Sequence, residues 1–172
     1  EEMAKLAESK GMPVEIFSIL NPVNCISLEE VTEEDVKDSD TDTAVYVLSR
    51  NSGEGVDRRN QPGDYQLTDE EIRTLNFISE KYEKTLLLLN LGCVIDTKEI
   101  RKISGLNSIL HIGQMGNVGG LITADLLSGA VYPSGKLTDT WAENYEDYSS
   151  SEGFGLNDGD VSDEYYHEGI FT

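Results

Sequence analysis

The residues best suited to chemistry lie in one loop, Arg50-Asn51-Ser52-Gly53-Glu54-Gly55-Val56-Asp57-Arg58-Arg59-Asn60. Glu54 stands between two glycines. Glycine opens backbone angles closed to other residues and removes side-chain bulk, so a carboxyl flanked by two of them can project toward a ligand. A carboxyl so placed can give or take a proton. Composition alone offers a plainer reading, a solvated turn acid, one of 33 Asp and Glu residues. Asp57, Arg58 and Arg59 form a charged cluster unusual in so acidic a chain. Fixing the loop through ion pairs is the role expected of Asp57 and Arg58. Holding a hydroxylated ligand is the alternative.

A second loop, Gly113-Gln114-Met115-Gly116-Asn117-Val118-Gly119-Gly120, falls between a strand and a helix, where backbone N–H groups can cradle a phosphate. Its glycines do not follow GxGxxG and no Lys-Ser/Thr pair comes after them, so it is not a P-loop. A tight turn with close helix–sheet contact is expected there. Asp158, Asp160 and Asp163 suggest a calcium loop, but the Gly and the final Glu are out of place. A solvated acidic loop is the expectation. His111 and His167 are isolated, and Cys25 and Cys93 offer neither CxxC nor zinc spacing. No metal and no cofactor is expected. Cys93 follows an apolar strand and reads as a buried thiol. Trp141 and the pair Tyr165-Tyr166 present flat faces that suit the apolar side of a sugar ring. Core or interface packing explains them equally well.

These loops need elements to hold them. Ala44 to Leu48, Thr85 to Asn90 and Ser108 to Ile112 read as buried strands. Thr68 opens the clearest helix: Thr68 and Glu71 make a capping box, and Ile72, Leu75, Phe77, Ile78 and Tyr82 follow at roughly helical spacing. Asp96 is expected to cap a helix running to Ile103, and Leu121 to Leu127 forms another. Upstream, a helix over Glu1 to Ser9, a strand over Val14 to Ile19, a turn at Asn21-Pro22 and a short helix over Glu33 to Lys37 are expected. Downstream, a turn at Tyr132 to Gly135 leads to Trp141, then to loop until Tyr165 to Phe171. Strand alternating with helix is the pattern of an α/β fold, here a three-layer α/β/α sandwich with a mostly parallel sheet. In such sheets functional groups gather beyond the carboxyl ends of the strands. That rule selects three loops: Arg50 to Asp64, Asn90 to Asp96, and Gly113 to Gly120.

The chain has 172 residues, with 13 Lys and Arg against 33 Asp and Glu, a formal charge of −20. So negative a field disfavours nucleic acid and anionic membrane as partners. The length fits one domain over residues 1–172. Hydrophobic residues are 38% of the chain and cluster, most of all over Thr85 to Val94. That run is far short of the ~20 residues a membrane-spanning helix needs. Glu1 opens directly into a polar, helix-like segment without a signal-peptide pattern. Few cysteines and no N-glycosylation sequon fit a cytoplasmic location.

Several pieces now stand in a familiar order. Asn51-Ser52-Gly53-Glu54-Gly55-Val56-Asp57-Arg58 leads to Pro62-Gly63-Asp64-Tyr65-Gln66-Leu67. Leu88-Leu89-Asn90-Leu91-Gly92-Cys93-Val94-Ile95-Asp96 follows, then the Gly113 to Gly120 turn. Tyr132-Pro133-Ser134-Gly135-Lys136-Leu137-Thr138-Asp139-Thr140-Trp141 and Tyr166-His167-Glu168-Gly169-Ile170-Phe171 complete the set. Together they resemble the second, α/β-sandwich domain of family 3 glycoside hydrolases of the β-glucosidase type, from about Thr43 to Phe171. Relative to that family, the expected opening strand and a Gly-Tyr-Arg-Tyr-like continuation after Phe171 are missing, so both ends read as cuts within a longer protein. His167 stands where Lys or Arg is common.

The resemblance implies an active site built by two domains. A (β/α)8 barrel carries an aspartate nucleophile, and the sandwich lends the general acid/base, whose matching position is Glu54. The substrate implied is a β-glucoside or an oligosaccharide. A barrel typically takes ~250 residues, so the nucleophile lies outside this chain and the isolated chain is expected to be inactive. Free Glu has a pKa of about 4.3, so its protonation at neutral pH would depend on burial and a neighbouring carboxylate from the barrel. The Arg58 and Arg59 guanidiniums are accordingly expected to point at Asp57 or at backbone carbonyls. The barrel-facing surface could also support a homodimer. The rival readings are a carbohydrate-binding or interaction domain of the same flavodoxin-like fold, and a nucleotide binder using the Gly113 to Gly120 turn.

Overall fold

The computed structural model describes residues 30–51 and 58–151. The chain divides into two compact units, Glu1–Glu30 and Val31–Thr172, and all the described helices and strands lie in the second. The expected helix Glu1 to Ser9, strand Val14 to Ile19, turn at Asn21-Pro22, acidic loop with Asp158, Asp160 and Asp163, and segment Tyr165 to Phe171 lie outside the described residues.

The unit opens with helix α1, Glu33–Asp38. Thr32 caps it, accepting from the Asp35 N–H while the Asp35 carboxylate accepts from the Thr32 N–H at 2.7 Å. Each side chain thus satisfies a backbone donor that the helix start leaves free. Strand β1 is Thr43–Ser49, helix α2 is Asp69–Lys81 and strand β2 is Lys84–Asn90. A 3₁₀ turn, Ile100–Lys102, precedes strand β3, Leu106–His111. A second 3₁₀ turn, Gly116–Val118, runs into helix α3, Gly119–Leu127. The strands form one parallel sheet in the order β1-β2-β3. The architecture is the α/β sandwich expected.

The pleat sorts the side chains. Ala44, Tyr46 and Leu48 of β1 face the same way as their partners Thr85, Leu87 and Leu89 of β2. On that face Leu48, Leu87 and Leu89 are almost fully buried beneath Leu75 and Ile78 of α2 and beneath Ile95, Ile100 and Ile103. Strands in sequence order with right-handed crossovers must put both connections on one face. Accordingly α2 and the 95–103 segment share the same side of the core.

The other face differs from expectation. Val45 and Val47 are 43% and 52% exposed, and α3 buries none of its residues. A pocket of about 600 Å³ separates Val47 and Leu88 from Thr123, Ala124 and Leu127 of α3. The close helix–sheet contact anticipated for the glycine turn is therefore not made. A Cβ added at Gly116 or Gly120 would meet nothing within 4 Å. The glycines answer a backbone need instead, since Gly113 and Gly116 have φ of +64° and +66°.

The expected helix from Asp96 to Ile103 is another correction. Asp96 accepts from the Lys98 N–H at 2.8 Å, but only Ile100–Lys102 coils, as 3₁₀. Ile100 and Ile103 are both buried. A spacing of three fits the 3₁₀ period, in which residues i and i+3 lie one above the other.

Candidate active site

The three rim loops chosen from sequence meet at the carboxyl end of the sheet. Their frame is set by Arg50, the residue after β1. Arg50 is 8% exposed and every one of its five N–H bonds has an acceptor. Nε donates to the Asp64 carbonyl at 2.9 Å. Nη1 donates to the Ser49 carbonyl at 2.9 Å and to Glu71 Oε1 at 2.7 Å. Nη2 donates to Glu71 Oε2 at 2.7 Å and to the Gln66 carbonyl at 3.3 Å. A guanidinium out of water is tolerable only when paired and fully hydrogen-bonded.

Glu71 has a double role. It is the reciprocal member of the α2 capping box, accepting from the Thr68 N–H at 2.8 Å, while its own N–H donates to Thr68 Oγ1 at 3.1 Å. The same carboxylate holds Arg50. The helix start, the β1 exit and the 64–66 turn are thus fastened together through one ion pair.

Arg58 fastens the far side of the loop. Its Nε donates to Asp64 Oδ1 at 2.7 Å, and its Nη2 to the Asp64 carbonyl. Its Nη1 reaches the Val94 carbonyl at 2.6 Å and Cys93 Sγ at 2.7 Å, beyond the end of β2. Asp64 Oδ2 accepts from the Arg59 N–H at 2.6 Å. The expectation that Arg58 would point at a backbone carbonyl holds, with two such carbonyls. Its carboxylate partner among the described residues is Asp64, which the sequence reading passed over. Cys93 is a correction too, because it is only half-buried and sits against a guanidinium.

The opposite rim is polar. Asn90 Nδ2 donates to Ser49 Oγ at 3.2 Å, and Gln114 Nε2 donates to the Arg50 carbonyl at 3.3 Å. Gln114 can lie across the end of β2 because residue 92 is glycine; a Cβ there would come within 3.1 Å of Gln114 Oε1. The Gly113 to Gly120 loop thus contributes a side-chain amide to the rim.

Glu54, Asp57, Tyr165 and Tyr166 lie outside the described residues. The ends of the segment that carries Glu54 and Asp57 are described: the chain leaves the rim at Asn51 and returns at Arg58. Trp141 is a packing residue. It lies against the core, and its ring meets His111 edge-on at 5.7 Å. His111 Nε2 lies 3.0 Å from the Leu91 carbonyl. A separate aromatic group, Tyr65, Tyr145 and Tyr148, stacks edge-to-face with centroids 5.2 and 6.5 Å apart. Among the described residues, no three His, Cys, Asp or Glu side chains converge as a metal would require.

Arg50, Asp64 and Glu71 are the residues that sequence reasoning missed. One signal was available for Arg50, a cation directly after the apolar run Ala44 to Leu48 in a chain of net charge −20. For Glu71 the capping box explained the residue fully and hid its second role.

Comparison with known proteins places this arrangement. Residues 4–172 match the glycosyl hydrolase family 3 C-terminal domain. Beta-glucosidase A of Butyrivibrio fibrisolvens is 36% identical over 76% of this chain and 18% of that protein. A beta-glucosidase of Ruminococcus albus is 37% identical over 77% of this chain and 13% of that protein. A crystal structure of a beta-glucosidase from Paenibacillus barengoltzii superposes with a TM-score of 0.72 at 31% identity, covering 88% of this chain and 18% of that one. Beta-glucosidase 3B from Thermotoga neapolitana, in complex with α-D-glucose, gives 0.65 at 28% identity, covering 83% of this chain and 23% of that one. The chain spans less than a fifth of the length of these two curated relatives. With the sandwich fold, the ordered motifs and the matched domain in agreement, the chain belongs to the C-terminal domain family of the family 3 glycoside hydrolases.

Proposed function

We propose that residues 1–172 form the sandwich domain of a retaining β-glucosidase and that Glu54 is its general acid/base. The observation that carries this reading is the motif Ser52-Gly53-Glu54-Gly55, in a chain of this family, in the loop that follows the carboxyl end of a parallel strand. Ligands of open α/β sheets bind at that end.

Retaining hydrolysis uses two carboxyl groups ~5–5.5 Å apart. In the first step a carboxylate on a (β/α)8 barrel of the same enzyme attacks the anomeric carbon. The bond to the leaving oxygen breaks, and Glu54 gives that oxygen its proton. In the second step Glu54, now a carboxylate, takes a proton from water, whose oxygen displaces the enzyme carboxylate. The acid must start protonated, which requires burial and a neighbouring negative charge from the barrel. Arg50 is fully engaged, and three of the four N–H-bearing contacts of Arg58 go to Asp64 and Val94. Both cations are thereby held within the loop's own frame. The substrate is a β-glucoside with glucose at its non-reducing end.

The test is Glu54→Gln in the whole enzyme. General acid catalysis contributes about 10²–10⁴-fold. A loss of that size in kcat/KM is expected for β-glucosides with poor leaving groups. Dinitrophenyl β-glucoside, whose leaving group needs no proton, should keep its kcat/KM. Equal loss on both substrates would refute the assignment of Glu54. Turnover by the 172-residue chain alone would refute the need for a barrel.

A further inference from the structure

We propose that Asp64 is the positioning residue of the acid/base loop: among the described residues it is the partner shared by Arg50 and Arg58, which stand at the two ends of the segment carrying Glu54. This rests on the reading of Glu54 given above. Arg50 and Arg58 flank the seven residues 51–57. Both guanidiniums donate to one atom, the Asp64 carbonyl oxygen. The Asp64 carboxylate adds an ion pair to Arg58 Nε through Oδ1 and accepts the Arg59 N–H through Oδ2. Its own N–H donates to the Gln61 carbonyl at 3.2 Å, so the hub belongs to a compact turn rather than to a swinging side chain.

The turn is itself well fixed. Gly63 N–H donates to the Gln66 carbonyl at 2.9 Å, Tyr65 N–H to the Arg59 carbonyl at 3.2 Å, and Asp96 N–H to the Tyr65 carbonyl at 2.8 Å. Arg50 then joins this turn to β1 and α2 through Glu71, and Arg58 joins it to the β2 exit through Val94. A flexible loop pays conformational entropy to bring its ends together. Here the ends are fixed by groups outside the loop, so the segment leaves and re-enters at fixed points on the rim. A catalytic group must be held within about 0.5 Å of its productive position, and a 1 Å displacement can cost about 100-fold in rate.

Asp64→Asn keeps the backbone carbonyl and removes the charge that holds Arg58. A positioning role acts only through Glu54, and that separates it from a general structural role. In the whole enzyme, Asp64→Asn should lower kcat/KM by about 10- to 100-fold for a poor-leaving-group β-glucoside and leave dinitrophenyl β-glucoside unchanged. Added to Glu54→Gln, it should cost nothing further on either substrate, since the group it positions is already gone. Arg58→Lys, which keeps the charge but loses the fork that reaches Asp64 and Val94 together, should give the same pattern and serves if Asp64→Asn does not fold. Loss on both substrates alike, or loss that adds to Glu54→Gln, would overturn the positioning role while leaving Glu54 as acid/base. If Glu54→Gln itself shows no dependence on the leaving group, both assignments fall.

Discussion

Arg50 and Glu71, separated by 21 residues, meet through two 2.7 Å hydrogen bonds where each is less than a tenth exposed. A pair so shielded is weak evidence of net stabilisation, because both charges lost their hydration on folding. It strongly specifies geometry, however, since removing either partner strands the other charge.

Glu71→Gln is therefore expected to destabilise the chain by about 3–5 kcal/mol, the cost of breaking a buried pair. Thr68→Ala removes only the other half of the capping box and should cost about 1 kcal/mol. Urea denaturation of the two variants measures the difference. Similar losses would mean that Glu71 acts as a helix cap alone.

The two faces of the sheet should respond unequally to substitution: the covered face, with the helix packed on it, and the half-exposed face. Leu75→Ala and Leu87→Ala each remove a side chain with no exposed surface and should cost about 2–5 kcal/mol. Val45→Thr and Val47→Thr alter half-exposed positions and should stay within about 0.5 kcal/mol. Denaturation midpoints of the four variants of this chain would check the asymmetry.

Gly105→Ala should be more damaging than its size suggests. Gly105 has φ of +97°, and an added Cβ would fall 2.6 Å from the Ser79 carbonyl oxygen of α2. Backbone strain of that kind costs about 1–3 kcal/mol, and the clash would also push β3 away from α2. A thermal melt of Gly105→Ala beside Ser104→Ala would isolate the effect.

Stability should decline at alkaline pH. Burial, with the nearby Glu71 charge adding to it, raises Tyr46 from 10.0 to about 12. Tyr65 is raised as well, by burial and then by Tyr148. A raised pKa means that the unfolded chain gives up its proton first. The contribution is thus complete below pH 10 and disappears as pH climbs toward about 12. Urea midpoints measured from pH 9 to 12 should fall, and Tyr46→Phe should flatten part of the slope.

Local signals explain why so much of the frame could be read directly. The capping box at Thr68 and Glu71 lies within four residues, and the apolar runs of β1 and β2 mark themselves by composition alone. The Asp96 helix could not be read that way. A cap signal there was genuine, yet the need to bury Ile95, Ile100 and Ile103 together selected an irregular path. Burial is a property of the assembled core, and it overrides local propensity.

The motif order and the Ser-Gly-Glu-Gly loop, which are sequence facts, determined the family and the choice of Glu54. The tertiary structure alone decided what holds the loop's ends. Arg50, Asp64 and Glu71 stand in three separate stretches, and nothing in their spacing says that they touch. Their pairing is imposed when β1 and α2 close over the shared core, because an arginine carried inside must find five acceptors, and Glu71, Asp64, Gln66 and Ser49 supply them.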